Sequence, residues 1–405
     1  MAFTSEFFAG NRQRLLETSG AELIVLSANG LLQRSSDTTF PFRQDSNFWY
    51  LTGIEEPDYV LVMRSEEAFI ILAPRAEHRD LWDGAIDINA LQAVSGIGEI
   101  LEHHAGWNKL DHLIKKIKRV HTMTPAEAYF DSFGFYANPA RGALLASLKK
   151  HRSLELLDIR KPLAQLRQIK QAVEMDALKR AIDITVDTLT EVRGNIQTYM
   201  SEYALVADIT AGFIRGGASG HAYQPIVAGG INAATIHYMR CNDALIDNDM
   251  LLLDVGAEYM NYSADISRTW ARHKPIRRQE AVYNAVHAVQ QAAFKLLKPG
   301  VTFRDYEQKV DDLMASELKE LGLLNDIGDK KKLKKYYPHL ASHFLGLDTH
   351  DAADYELPLT PGMVLTVEPG IYIPDEKIGI RIEDNIVITE TGNTILSDRL
   401  PRNLF

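Results

Sequence analysis

Apolar residues are spaced differently in the two halves of the chain. Over the first 165 positions the runs are short. "AELIVLSA", "YVLVM" and "AFIILAP" are bounded by turn residues and charge, which predicts strands. Ahead of them "FFAGNRQRLLETSG" predicts a helix that ends at Gly20. "PAEAYFDSFGFYANPARGALLASLKKHR" predicts further helical material, cut by Pro139. "SLELLDIRKPLAQLRQIK" reads as a strand, a linker and the start of a new helix. These signals describe a mixed α/β domain over residues 1–162 and a boundary before a second domain at 163–405.

The second half carries longer, more regular periods. "QAVEMDALKRAIDITVDTLTEVRGNI" has apolar residues at 173, 177, 178, 181 and 182, the spacing of a buried helix face. "YALVADITAGFIRGGAS" predicts a second helix that stops at its glycines. "RRQEAVYNAVHAVQQAAFKLLKPG" predicts a long amphipathic helix ending at Lys298-Pro299-Gly300, and "FRDYEQKVDDLMASELKELGLL" another. Between and after these helices lie two predicted strand pairs, 250–256 with 263–270 and 363–373 with 378–389, each joined by a short polar segment. Each pair has a carboxylate near the end of its first strand and another on the returning strand: Asp254 and Asp265, then Glu368 and Glu383. The repetition predicts an α+β domain built from a duplicated unit of strand pair plus helices.

Composition narrows the function. A 405-residue chain is longer than one hydrophobic core usually holds. It is 46% hydrophobic and 24% charged, the composition of an ordinary globular protein. A formal net charge of −10 argues against a general nucleic-acid or anionic-membrane binder. The basic run "DKKKLKKYY" reads as a solvated face in so acidic a chain. The single cysteine, Cys241, permits no internal disulfide and points to a reducing compartment, hence a cytoplasmic protein. No apolar run reaches membrane-spanning length, and the N-terminus lacks the apolar stretch of a signal peptide. "SGIGE" lacks the third glycine and the helical context of a dinucleotide loop.

The chemistry lies in the carboxylates. One aspartate at a strand end is more often a turn or cap residue than a ligand. Four on two predicted hairpins would each cost several kcal/mol if buried unpaired. Two divalent cations would balance their charge, and a neutral histidine ligand would leave that balance unchanged. Histidines are at hand: "HLASHFLGLDTHD" holds His339, His343 and His350, and His237 stands in "AATIHYMR". Arg381 lies two residues before Glu383 and would face the same side of a regular strand. His339 and His343 are four apart, but no Glu follows His339, so a His-Glu-x-x-His zinc helix is excluded. A site rich in oxygen ligands, with one imidazole, suits manganese, or cobalt and zinc at higher affinity.

The order of these residues resembles a known family. Asp, Asp eleven residues on, His, Glu and Glu, in "LLLDVGAEYMNYSADISRT", "SHFLGLDTHD", "GMVLTVEPGIYI" and "GIRIEDNIVIT", are similar to the metallopeptidases of the methionine aminopeptidase, prolidase and aminopeptidase P group. "FPFRQDSNFWYLTGIEEPDYVLVM" resembles the start of the aminopeptidase P accessory domain. The resemblance implies a C-terminal pita-bread catalytic domain and release of the first residue from peptides with proline second. It implies two divalent ions, with Asp254 ligating one alone, Asp265 and Glu383 bridging both, and His343 and Glu368 on the second. Glu368 would also shuttle a proton. His237 and His350 would contact substrate and stabilise the tetrahedral intermediate. His339 and Arg381 would line the proline pocket or hold a bridging carboxylate, and Tyr223 would stand beside the metals. A hydroxide shared by the metals would attack the Xaa-Pro amide.

Two departures are visible. The loop between Ile373 and Ile378 is short, and "DYELPLTPG" stands where the long bacterial form carries arginines. Rival readings are a prolidase restricted to Xaa-Pro dipeptides and a non-catalytic binding protein on the same fold. Ser342 and "FRQDSNFWYLTG" favour the aminopeptidase over the first, and retention of all five ligand types disfavours the second. The accessory domain, and Trp82 in "RDLWDGA", which resembles a tryptophan capping a neighbour's site, imply a homodimer or homotetramer.

Overall fold

The computed structural model describes residues 3–76, 78–124, 134, 136–246 and 249–405. The chain forms two compact units, Met1–Leu166 and Arg167–Phe405. The sequence pattern puts the break at 162/163, where the helix Arg160–Arg167 runs on without interruption. No helix among the described residues is long and apolar enough to cross a membrane.

The first unit is built on a six-stranded mixed sheet in the order Glu99–Leu101, Glu67–Ile71, Val60–Arg64, Ile24–Ser27, Arg119–Thr122, Glu155–Asp158. Val25, Val60, Val62, Phe69 and Ile71 share a buried cluster with Leu110 and Ile114 of helix His103–Ile114 and Leu144 and Leu148 of helix Pro139–Leu148. The helix Ser5–Ser19 stops where Gly20 turns left-handed at φ 60°. Pro139 opens a helix rather than cutting one, with Asn138 capping it through the Ala140 amide. The helical signal at 125–133 and at 135 lies outside the described residues.

The second unit carries the four expected helices, Ala172–Gly194, Glu202–Arg215, Arg277–Leu296 and Phe303–Glu320. They serve two apolar cores. One joins the first two helices to the strands around Leu251, Leu253 and Trp270. The other joins the last two to the strands around Leu365, Ile371, Ile380 and Ile386. The strand Met250–Val255 is buried at all six positions, which explains its unbroken apolar run. This duplicated arrangement of strand pairs inside helices is the pita-bread architecture.

Both hairpins break where a carboxylate leaves them. Met250–Val255 pairs with Ile266–Ala271, with Asp254 opposite Ser267. Pairing resumes separately as Ala257–Tyr259 with Tyr262–Ser263. Gly256 marks the break: a Cβ there would lie 1.7 Å from the Ala264 carbonyl oxygen, so only glycine allows the approach. In the second hairpin, Val364–Val367 pairs with Asp384–Ile388, while Gly370–Ile373 pairs with Ile378–Arg381. Pro369, which has no N–H for a ladder, lies in this break together with Glu368 and Glu383. The continuous strands expected at 363–373, 378–389 and 263–270 are therefore interrupted. Apolar alternation carries across each break, so the pattern alone does not disclose it.

Candidate metal centre

The interruptions aim four carboxylates at one place. Asp254 is the penultimate residue of its strand, and Asp265 immediately precedes the returning strand. Glu368 and Glu383 occupy the break in the second hairpin. His343 comes from an irregular segment held against the strand Val364–Val367: its N–H donates to Thr366 Oγ1 at 3.1 Å, and the Thr366 N–H donates to the His343 carbonyl at 2.9 Å. Asp265, His343 and Glu383 each present a ligand atom, all within 4.8 Å of one another. His343 Nε2 lies 3.3 Å from Asp265 Oδ2 and 3.4 Å from Glu368 Oε1. Asp254 joins through the Tyr223 hydroxyl, 2.5 Å from Asp254 Oδ1 and 2.6 Å from Asp265 Oδ1.

The residues fit a divalent cation on three counts. The His343 Nδ1 faces the Phe344 carbonyl at 3.0 Å; a carbonyl only accepts, so Nδ1 carries a proton and Nε2 is the nitrogen left to face the carboxylates, where it would give up its own proton to ligate a cation. Glu383 Oε1 is fully buried without a hydrogen-bond partner among the described residues, and such an orphan is costly. The donors are hard carboxylate oxygens with one borderline imidazole.

The titration of the isolated chain reflects crowded negative charge. Burial, then the charge of Asp265 and Glu368, pushes Glu383 well above the usual carboxylate range. Burial raises Glu368 to about 7, against the pull of His343. Burial also raises Asp254, against Arg381. Asp265 goes the other way: burial opposes its ionisation, but its hydrogen bond and charge pairing with His343 win. His343 in turn rises to about 9, since Asp265 and Glu368 outweigh its burial. The Tyr223 hydroxyl has one proton for two close oxygens. Its second contact therefore needs a proton on a carboxylate, in keeping with the raised Asp254.

Arg381 is buried and faces the cage although its strand ends before Glu383. Its Nη2 donates to Asp254 Oδ2 at 2.5 Å, its Nε to Ser267 Oγ at 2.8 Å and its Nη1 to the Tyr372 hydroxyl at 2.7 Å. Ser267 Oγ donates onward to Glu383 Oε2 at 2.7 Å. The Tyr372 hydroxyl is 2.9 Å from His339 Nε2, whose ring is pushed down to about 3 by burial and then by Arg381. The His350 ring centroid is 4.2 Å from that of His343. His237 stands exposed on the loop after Ile226–Gly229, close enough for its charge to act on His339 and His350.

Ser267 and Tyr372 escaped the sequence reading. The available signal was their place inside the quoted motifs, "ADISRT" and "GIYI". Arg268 and Asp384 escaped it as well. Beneath Glu383, Arg268 donates to the Glu383 carbonyl at 2.5 Å and to Asp384 Oδ1 at 2.7 Å. Asp384 also accepts from Gln290, Arg402 and Ser397.

Behind His343, Glu307 of the helix Phe303–Glu320 accepts from the Ala341 N–H at 2.9 Å, and its other oxygen is buried without a partner among the described residues. Burial lifts it from 4.5 to about 8, opposed by the Ala341 amide and helped by Asp311 and Glu368. A raised acid contributes stability that is full below its unfolded value and is lost as pH rises through the folded one. The parent should therefore lose stability between pH 4.5 and 8, and Glu307→Gln should flatten that slope. The variant should be the more stable at pH 7, by on the order of 3 kcal/mol, read from denaturant unfolding across the range. Parallel curves for the two proteins would refute the assignment.

Comparisons with known proteins give the family. Residues 176–390 match the model of Metallopeptidase family M24, and residues 8–121 match Aminopeptidase P, N-terminal domain. Human Xaa-Pro aminopeptidase 3 is 32% identical over 413 residues, covering 95% of this chain and 79% of its own length. The Xaa-Pro aminopeptidase of Escherichia coli is 33% identical over 419 residues, covering 96% and 94%. The solved structure of E. coli aminopeptidase P with the inhibitor Pro-Leu superposes with a TM-score of 0.88 at 30% identity, covering 100% of this chain and 97% of that one. The chain belongs to metallopeptidase family M24, among the members that carry an aminopeptidase P N-terminal domain.

Proposed function

We propose that this chain is a metal-dependent exopeptidase that removes the first residue from peptides with proline at the second position. The observation that carries the reading is the convergence of Asp265, His343 and Glu383 in one buried cage, with Glu368 beside them. In this reading Asp254, Asp265, His343, Glu368 and Glu383 would hold two divalent cations. Manganese is the first candidate, with cobalt and zinc as alternatives. When bound, such ions polarise a carbonyl oxygen and lower the pKa of water.

The chain's own residues do the rest. Glu368 is placed to take up a proton at its carboxylate and return it to the departing proline nitrogen. His237 and His350 donate to the amide oxygen as charge develops there. Tyr223 and Arg381 hold Asp254 and Asp265 in place. His339, kept neutral by burial and then by Arg381, lines a pocket for the proline ring. A tertiary amide has no N–H to donate, so a peptidase that grips the backbone as a strand loses a bond at this residue. A pocket of rings does not depend on that bond.

A peptide series tests the reading. Xaa-Pro-Yaa tripeptides should be cleaved after the first residue, Xaa-Ala-Yaa controls should not, and activity lost to a chelator should return with manganese. Cleavage of Xaa-Pro dipeptides alone would make the chain a prolidase. We further propose a cytoplasmic homodimer or homotetramer that acts on peptides and binds neither nucleic acid nor membrane. The exposed Trp82, at 77% of its surface, supports assembly; sedimentation of the chain and of Trp82→Ala tests it.

A further inference from the structure

His237 has no secondary structure of its own to hold it. It stands in the connection between the strands Ile226–Gly229 and Met250–Val255, after the short 3-10 turn Gly230–Ala234. Chain of this kind costs roughly 1–2 kcal/mol per residue to order, so something must offset that cost if the imidazole is to point reproducibly.

One carboxylate gathers the connection from Gly229 to Asp243. Glu202, in the first turn of the helix Glu202–Arg215, is wholly buried. Its Oε1 accepts from the Gly229 N–H at 2.8 Å and from Asn232 Nδ2 at 3.0 Å. Its Oε2 accepts from the Tyr238 hydroxyl at 2.8 Å and from the Asp243 N–H at 3.0 Å. The Glu202 N–H donates back to the Asp243 carbonyl at 3.0 Å. The four donors are neutral and span both flanks of His237. Four charge-assisted bonds satisfy a buried carboxylate without a counter-ion.

The geometry transmits this to the imidazole. Tyr238 is buried among Ile226, Ala228, Ala233, Leu252 and Tyr372, while its chain neighbour His237 is exposed. Holding the Tyr238 ring inward sends His237 outward. On the far side the loop is pressed against the strand Ile378–Arg381: a Cβ at Gly379 would lie 1.8 Å from the Ala233 carbonyl oxygen. The loop is therefore clamped between a glycine of the strand that carries Arg381 and the carboxylate of Glu202.

We propose that Glu202 is the positioning residue for His237, acting through the Tyr238 hydroxyl and the Gly229 and Asp243 amides. Its contribution to turnover rests on the reading above, in which His237 meets the substrate; its hold on the loop does not. Tyr238→Phe removes one of the four bonds, together with the Asn242 amide's bond to that hydroxyl, and Glu202→Gln puts an NH2 in place of one oxygen, so two of the four lose their acceptor and the other two lose the charge. On an Xaa-Pro-Yaa tripeptide, Tyr238→Phe should lower kcat/KM about tenfold, in the range seen for outer-shell partners. In a His237→Ala background the same change should cost less than about twofold, because residues that act through one another are not additive. Amide exchange at Gly229 and Asp243 should quicken in both variants, with exchange in Arg277–Leu296 unchanged, and the His237 ring resonance should broaden. Equal kinetic losses in both backgrounds, or exchange and ring signal unchanged in Tyr238→Phe, would overturn the proposal. A parent chain that ignores Xaa-Pro peptides would instead sink the activity reading, and the exchange and ring measurements would then decide the proposal by themselves.

Discussion

Glu383→Gln is expected to lower kcat/KM at least about a thousandfold, since metal ions supply several kcal/mol of transition-state stabilisation and each 1.4 kcal/mol is worth about a factor of ten. Its metal affinity should fall with it. Its stability in chelator should not. In the metal-free chain burial, Asp265 and Glu368 push Glu383 toward its neutral form, so a neutral amide of the same shape loses nothing there. Three measurements separate the possibilities: peptide hydrolysis, calorimetric titration with manganese, and melting in EDTA. Lost activity, lost binding and an unchanged or raised melting temperature in EDTA fit a carboxylate held in place for a cation. A large fall in that melting temperature would make Glu383 a structural residue and sink the cage. The orphaned Glu383 Oε1 argues for the first outcome, because no bond within the described residues would be broken.

The largest loss of stability is expected from Asp384→Ala. Asp384 is wholly buried and neutralises Arg268, itself wholly buried, while also accepting from Arg402, Gln290 and Ser397. Removing one partner of a buried ion pair leaves the other uncompensated, at a cost of about 3–5 kcal/mol. In a domain of this size that lowers the melting temperature by roughly 10 °C. Asp384→Asn, which keeps the shape and some of the acceptors, should cost less. Because Arg268 also holds the Glu383 carbonyl, the alanine variant should lose manganese affinity even at temperatures where it is folded. Melting and titration measured on the same samples check both statements; a variant that melts within about 2 °C of the parent, short of the shift that 1 kcal/mol produces, would show that Arg402 and the neighbouring carbonyls suffice for Arg268.

The long helices of the second unit were legible because each buries a continuous face, and the apolar spacing reports that face directly. Ala172–Gly194 follows the spacing at 177, 178, 181 and 182. The strand Met250–Val255 was legible as an apolar run ended by Asp254. Breaks inside hairpins were not legible, because they depend on close approaches such as that of Gly256 to Ala264, which leave the alternation of residues intact. The helix beginning at Pro139 was misjudged: proline blocks a helix interior but suits a first turn, and position within an element is a property of the folded chain.

The candidate site divides the same way. Asp254, Asp265, Glu368 and Glu383 stand out in sequence because acids in strand-like surroundings demand compensation, and that demand is local; His343 is set apart from its neighbouring histidines only by the family resemblance. Arg381 was reached by assuming a regular strand; the strand ends at Arg381, and the proximity comes instead from the shared Ser267 hydroxyl. Glu202, Glu307 and Tyr372 carried no such signal, since a glutamate in a helix or a tyrosine in a strand is ordinary until its partners are known; Asp384 carried it but is answered by Arg268 instead. Sequence alone therefore determined which carboxylates need compensation, through the charge they bring into apolar surroundings. Tertiary structure alone decided how those side chains meet and which buried hydrogen bonds hold them, because partners such as Glu202 and Tyr238 or Arg268 and Asp384 lie 36 and 116 residues apart and are paired only by folding.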